Sequence, residues 1–162
     1  MLPDNFIPLI KKLAYQCEQL GMVWAFTGSL NLLFWGFDLE PHDVDLETDR
    51  FSADQFARLY MDQAVWSLHL RESECMQSWF ARYDIDDVQV EVMGDCQYRS
   101  TDGGWVAPRP LEKRIRRIDW QDLSLPLLDL EDEREICTLM GRLEKAERIR
   151  AWLEKPPDFL KQ

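Results

Sequence analysis

Residues 24–49 read WAFTGSLNLLFWGFDLEPHDVDLETD, and the order of residue types in this stretch decides the fold. Met22 to Thr27 is a short apolar run rich in strand formers, and Gly28-Ser29 breaks it. Leu30 to Trp35 reads as a short helix closed by Gly36, and residues 37–42, with Pro41, form a loop. Asp43, Asp45 and Glu47 then alternate with Val44 and Leu46, the period of a half-buried strand. Residues two apart on a strand share a face, with Cα atoms roughly 6.6 Å apart. Asp43 and Asp45 therefore project together, while Val44 and Leu46 turn to the core.

Two carboxylates so placed repel each other unless a cation lies between them. Magnesium accepts oxygen ligands and commonly combines one or two carboxylates with substrate phosphates. The strand–turn–helix upstream supplies the other half of such a site. Free N–H groups at a helix N-terminus attract phosphate, glycine lets it approach the backbone, and Ser29 adds a hydroxyl donor. Each feature alone has a plain explanation: a Gly-Ser turn can simply cap a helix, and an Asp-x-Asp triplet can be a solvated strand edge. The chain carries its own decoy in Asp84-Ile85-Asp86, which runs into a hairpin tip at Asp86-Asp87 with no phosphate-binding turn before it. Only the first pair has both halves.

Outward from this stretch, residues 6–20 carry Ile7, Ile10, Leu13, Ala14, Cys17 and Leu20 at helical spacing, with Gly21 as a stop. Ser52-Ala53-Asp54-Gln55 reads as a helix cap leading into Phe56, Leu59, Tyr60 and Met61. Ser78–Ile85 and Val88–Met93 form a candidate hairpin, though without the preferred glycine. Residues 101–104 read as a loop and Ile115–Trp120 as a further strand. From Leu127 to Leu153 the pattern is helical, with a break near Gly141. There is no internal repeat, low-complexity tract or linker, so the expectation is one mixed α/β domain over residues 1–155. Its C-terminal helical segment covers about 127–155, and 156–162 form a tail.

Composition narrows the class. The chain has 162 residues, 46% of them hydrophobic, enough for a core without staples. No apolar run approaches the ~18 residues of a membrane span, and no secretory signal is visible, so the cytoplasm is the expected compartment. Cys17, Cys75, Cys96 and Cys137 are scattered without a Cys-x-x-Cys pair, and His42 and His69 are not at ligand spacing. Reduced, mostly buried cysteines are expected rather than a zinc site. A net charge of −11 speaks against general nucleic-acid binding and suits a small or cationic acceptor, or a basic protein, better. One basic cluster stands out against it: Arg109, Lys113, Arg114, Arg116 and Arg117. It reads as a solvated loop and strand or, alternatively, as a surface that meets triphosphate or an acidic partner. The seven tryptophans form no interleaved basic–aromatic run and read as packing residues.

The stretch AFTGSLNLLFWGFDLEPHDVDLETD resembles the polymerase-beta-like nucleotidyltransferase superfamily, of the small antibiotic-adenylyltransferase or minimal nucleotidyltransferase type. The resemblance implies an α/β (α+β) nucleotidyltransferase fold, a central mixed β-sheet flanked by helices. It implies that Gly28 and Ser29 bind the nucleoside triphosphate and that Asp43 and Asp45 hold Mg2+. A third acid lies on a later strand in that superfamily; Glu91, in Val88-Gln89-Val90-Glu91-Val92, is the candidate and would act as general base. The implied activity is magnesium-dependent transfer of a nucleoside monophosphate to a hydroxyl acceptor, whether small molecule, RNA or protein. The alternative is a module of the same fold without turnover, a nucleotide sensor or toxin–antitoxin partner. Leu125–Glu131 followed by Gly141-Arg142 resembles the superfamily's strand-to-helix segment, which often ends Arg-x-Lys-Asp where this chain has Arg142-Leu143-Glu144-Lys145. Relatives often carry Arg and Thr before the paired acids; here the residues are Glu40-Pro41-His42.

Overall fold

The computed structural model describes residues 1–156; the proposed tail therefore lies, apart from Pro156, outside the described residues. The elements run α1 (Phe6–Gln19), β1 (Trp24–Thr27), α2 (Gly28–Phe34), β2 (Asp43–Thr48), α3 (Arg50–Leu59), β3 (Ala64–Glu72), β4 (Met76–Ile85), β5 (Val88–Arg99), β6 (Trp105–Val106), β7 (Ile115–Trp120), β8 (Leu123–Leu128), α4 (Leu130–Leu139) and α5 (Leu143–Glu154). They build one mixed sheet in the order β3-β4-β5-β2-β1-β8-β7, with β6 paired to β5. The β2–β5 and β1–β8 pairs are parallel and the other pairs antiparallel. This is the expected central mixed sheet flanked by helices, with β2 at its middle.

Side-chain alternation assigns the two faces. Val44, Leu46, Val90 and Val92 pack into one core with Leu9, Ile10 and Leu13 of α1 and Ala53 and Phe56 of α3. On the other face, Asp45, Glu47, Glu91 and Met93 lie beneath Ile136, Cys137 and Met140 at the α4 end of the chain. A second cluster, Leu32, Leu130, Cys137, Ala146 and Ile149, ties α2 to α4 and α5. No helix among the described residues is long and apolar enough to cross a membrane.

Several local expectations are corrected. The cap of α3 is Asp49, whose side chain accepts from the Ser52 N–H at 2.7 Å; Ser52 is inside the helix, buried, and its hydroxyl accepts from the Val23 N–H at 2.9 Å. The helical pattern read from Leu127 starts only at Leu130, because Leu123–Leu128 is drawn into the sheet beside β1, with Phe26 opposite Leu127. The break at Gly141 is real: its φ is +71° and it separates α4 from α5. The β4–β5 hairpin closes without glycine because Asp86 and Asp87 both take positive φ, 53° and 61°, the geometry of a type I′ turn. Strand β3 carries no alternating signal, since it is an edge strand largely exposed along its length.

The basic cluster does not form a free cationic surface. Arg109 pairs with Asp132, Arg114 with Glu47, Arg116 with Asp129 and Arg117 with Glu18. All four cysteines are free, and Cys17, Cys96 and Cys137 are buried.

Candidate active site

Three in-register strand pairs build the centre. Thr27 lies opposite Asp45, Asp45 opposite Glu91, and Glu91 opposite Arg82, so one row crosses β1, β2, β5 and β4. At the usual spacing of about 4.8 Å between strands, the row spans roughly 14 Å. Asp43 sits one step along the same face, opposite Gln89. The two strand acids expected to project together do so, beside the glycine turn rather than across the sheet from it.

Gly28 begins α2 with a φ of +68°, a conformation that L side chains rarely adopt. The Asp45 carboxylate occupies the space a side chain would need: a methyl group here would overlap Asp45 Oδ2, with Asp45 Cγ only 3.4 Å away. Glycine is thus required twice, by the turn and by the acid packed on it. Ser29 is half-buried, and its hydroxyl makes no hydrogen bond among the described residues.

The turn holds an acid that the sequence reading does not single out. Glu133 of α4, 3% exposed, accepts from the Thr27 hydroxyl at 2.8 Å and from Asn31 Nδ2 at 2.9 Å, and from the Gly28 N–H at 3.3 Å. Asn31 Nδ2 also donates to the Leu128 carbonyl at 3.1 Å, tying β8 to the turn. Leu130, Glu133 and Cys137 share the inward stripe of α4. An acid on an otherwise apolar helical stripe was the signal available for Glu133. It was masked by Glu131 and Asp132 beside it, which look like ordinary N-terminal helix acids.

Glu91 is held from one side only. Its Oε1 accepts from Arg82 Nη2 at 2.7 Å, Arg82 Nε at 2.9 Å and Gln89 Nε2 at 3.1 Å, which leaves Oε2 free of these bonds. Glu47, further along β2, forms a buried ion pair with Arg114. Burial and the bound guanidinium act in opposite directions on Glu47, and burial prevails, raising its carboxyl above the usual range. Asp45 is raised to about 7, first by burial and then by the neighbouring charges of Asp43, Glu91 and Glu133, against a lowering contribution from Lys145. A cavity of about 110 Å³ lies between the acid row and α4.

The donor chemistry suits a hard divalent cation: carboxylate oxygens of Asp43 and Asp45 stand on one face, and burial first, then the neighbouring acids, disfavours the bare charge on Asp45. Among the described residues no group of three or more His, Cys, Asp or Glu is arranged to hold a metal ion, so Asp43 and Asp45 supply at most two protein ligands. Such a cation would take its remaining ligands from phosphate and water, as magnesium usually does.

A profile of the aminoglycoside-2''-adenylyltransferase family matches residues 9–149. A Thermotoga maritima protein, itself assigned only provisionally as a nucleotidyltransferase, shares 31% identity over 96% of each chain, with a TM-score of 0.82. A lincosamide antibiotic adenylyltransferase, LnuA, solved with lincomycin bound, superposes with a TM-score of 0.55 over 91% of this chain and 98% of that one. At 10% identity this second likeness shows the fold alone. None of the curated protein sequences matches the chain significantly.

Proposed function

The chain belongs to the aminoglycoside-2''-adenylyltransferase family of nucleotidyltransferases, and from this premise we propose that it transfers a nucleoside monophosphate from a triphosphate to a hydroxyl acceptor. The observation that carries the reading is the in-register row from Thr27 through Asp45 to Glu91, with Gly28 packed on Asp45. We take residues 1–155 as one catalytic domain, because α4 supplies Glu133 to the glycine turn. The four free cysteines support a reducing, cytoplasmic setting.

The triphosphate lies against Gly28 and Ser29. Glu133 keeps the Gly28 N–H and Thr27 hydroxyl satisfied, and the unpartnered Ser29 hydroxyl meets phosphate oxygen. Asp43 and Asp45 would hold Mg2+ together with phosphate oxygens, and the ion supplies neutralisation of the charge that develops on the phosphates. The acceptor oxygen attacks the α-phosphorus, the bond from that phosphorus to the bridging oxygen breaks, and pyrophosphate leaves. The hydroxyl proton passes to Glu91 Oε2, with Arg82 fixing the carboxylate through Oε1.

A second reading, a nucleotide-binding module without turnover, draws on two contacts: Glu133 already bound at the Gly28 amide, and Arg82 paired with the candidate base. One assay separates the two. Glu91→Gln keeps size and hydrogen bonding but removes the basic carboxylate. In an enzyme, pyrophosphate release falls by roughly two to four orders of magnitude, while calorimetric affinity for magnesium triphosphate changes little. A parent chain that binds triphosphate yet releases no pyrophosphate with any acceptor offered is the binding module. Unchanged release in the variant removes Glu91 as the base.

A further inference from the structure

We propose, building on the transfer reading above, that the acceptor is a small hydroxyl compound that itself carries a negative group, a phosphate or carboxylate, and that Arg71 and Arg142 recognise it. The acid row has two ends. At one end Thr27 leads into the Gly28-Ser29 turn; at the other lies Arg82, two strands beyond Asp45. With the triphosphate at the turn and its α-phosphorus over Asp45 and Glu91, the acceptor hydroxyl must come from the Arg82 end.

A groove of about 310 Å³ opens there, lined by Arg71, Arg82, Arg142 and Glu91 over an apolar floor that includes Phe80 and Met93. Glu91 is the one acid in this lining, and Arg82 already neutralises it at 2.7 Å. Arg71 and Arg142, both exposed, make no ion pair among the described residues; Arg142 also lines the neighbouring cavity with Asp45, Glu47, Glu91 and Glu133, whereas Arg71 lines the groove and not that cavity. Two of the three guanidinium groups are held by aromatic rings: Arg71 lies 4.6 Å from the Phe80 ring centre, and Arg82 4.2 Å from that of Trp66. Stacking of this kind occupies the guanidinium face and leaves its N–H edge to meet an oxyanion, the geometry in which arginine binds phosphate and carboxylate.

Charge argues against a polycationic acceptor. A polyamine would enter against two unpaired cations, whereas an anion gains charge-assisted hydrogen bonds from both. The acceptor chemistry of this chain thus departs from the one the family name carries.

The test is calorimetric titration with inorganic phosphate, glucose 6-phosphate, glucose and kanamycin, each with and without a saturating non-hydrolysable ATP analogue and magnesium. Phosphate and glucose 6-phosphate are expected to bind with the nucleotide present, and glucose at least about tenfold more weakly, the worth of one charge-assisted contact. Arg71→Gln with Arg142→Gln should weaken both anions by about tenfold or more, and Arg71→Gln alone should weaken them while leaving nucleotide affinity unchanged. Kanamycin binding tighter than glucose 6-phosphate overturns the proposal. So does competition between phosphate and nucleotide with nucleotide affinity lost in Arg71→Gln, because the groove then serves the donor. Failure of the chain to bind magnesium nucleotide at all sinks the transferase reading instead, and the phosphate titration of parent against double variant still decides whether the groove selects anions.

Discussion

Replacing Gly28 by alanine tests the packing at the centre of the site, and the chain supplies its own controls. Gly28, Gly21 and Gly141 all take positive φ, +68°, +63° and +71°. An alanine forced into that region costs about 1–2 kcal/mol, offset by about 0.4–1 kcal/mol from the reduced freedom of the unfolded chain. Gly21 and Gly141 have nothing within 4 Å of an added Cβ, so each substitution there costs roughly the net backbone amount, about 1 kcal/mol. At Gly28 the new methyl also overlaps the Asp45 carboxylate, with Cγ at 3.4 Å and Cβ at 3.6 Å. Overpacking of this kind adds about 1–3 kcal/mol, for a total of about 2–4 kcal/mol. Urea denaturation of the three single variants should therefore rank Gly28→Ala well below the other two. A double-mutant cycle isolates the contact: in an Asp45→Ala background the overlap is gone, and the Gly28→Ala cost should fall to that of Gly141→Ala. Magnesium-dependent triphosphate binding should be lost in Gly28→Ala and retained in Gly141→Ala. Equal midpoint shifts for Gly28→Ala and Gly141→Ala, or a Gly28→Ala cost unchanged by Asp45→Ala, would refute the close approach of turn and acid.

Asp45, raised from 3.8 to about 7, leaves the folded chain binding more protons than the unfolded one across that interval, so stability falls as pH rises through it. Asp45→Asn should leave stability unchanged below the lower value and raise it by about 1–4 kcal/mol near pH 8; a gain that does not vary with pH in denaturation curves contradicts this origin. Arg114→Met removes the partner of buried Glu47 and should cost about 3–5 kcal/mol, while Glu47→Gln with Arg114→Met recovers most of the loss. An Arg114→Met midpoint matching the parent would show that the pair carries no such burden.

What the sequence determined by itself was local. Gly28-Ser29 after an apolar run and Asp43-Val44-Asp45 at strand period were sufficient to indicate the strand–turn–helix and the shared face of the two acids, because turn chemistry and a two-residue repeat act within a few residues. The Asp86-Asp87 tip and the stop at Gly141 were legible for the same reason. Strand β8 was legible only through the resemblance of Leu125–Glu131 to a strand-to-helix segment: Leu127 and Leu128 fit a helical stripe as well as a strand, and parallel pairing with β1, about a hundred residues away in sequence, selects the strand. Tertiary structure alone decided the register. It set Glu91 against both Asp45 and Arg82, swung Glu133 from α4 onto the Gly28 amide, and divided the run of arginines after residue 108 among Asp132, Glu47, Asp129 and Glu18. A charge declares its type in the sequence, but its partner is fixed by which strands pair and which helix covers them. Charge counts therefore could not separate the paired arginines from Arg71 and Arg142, which make no ion pair among the described residues.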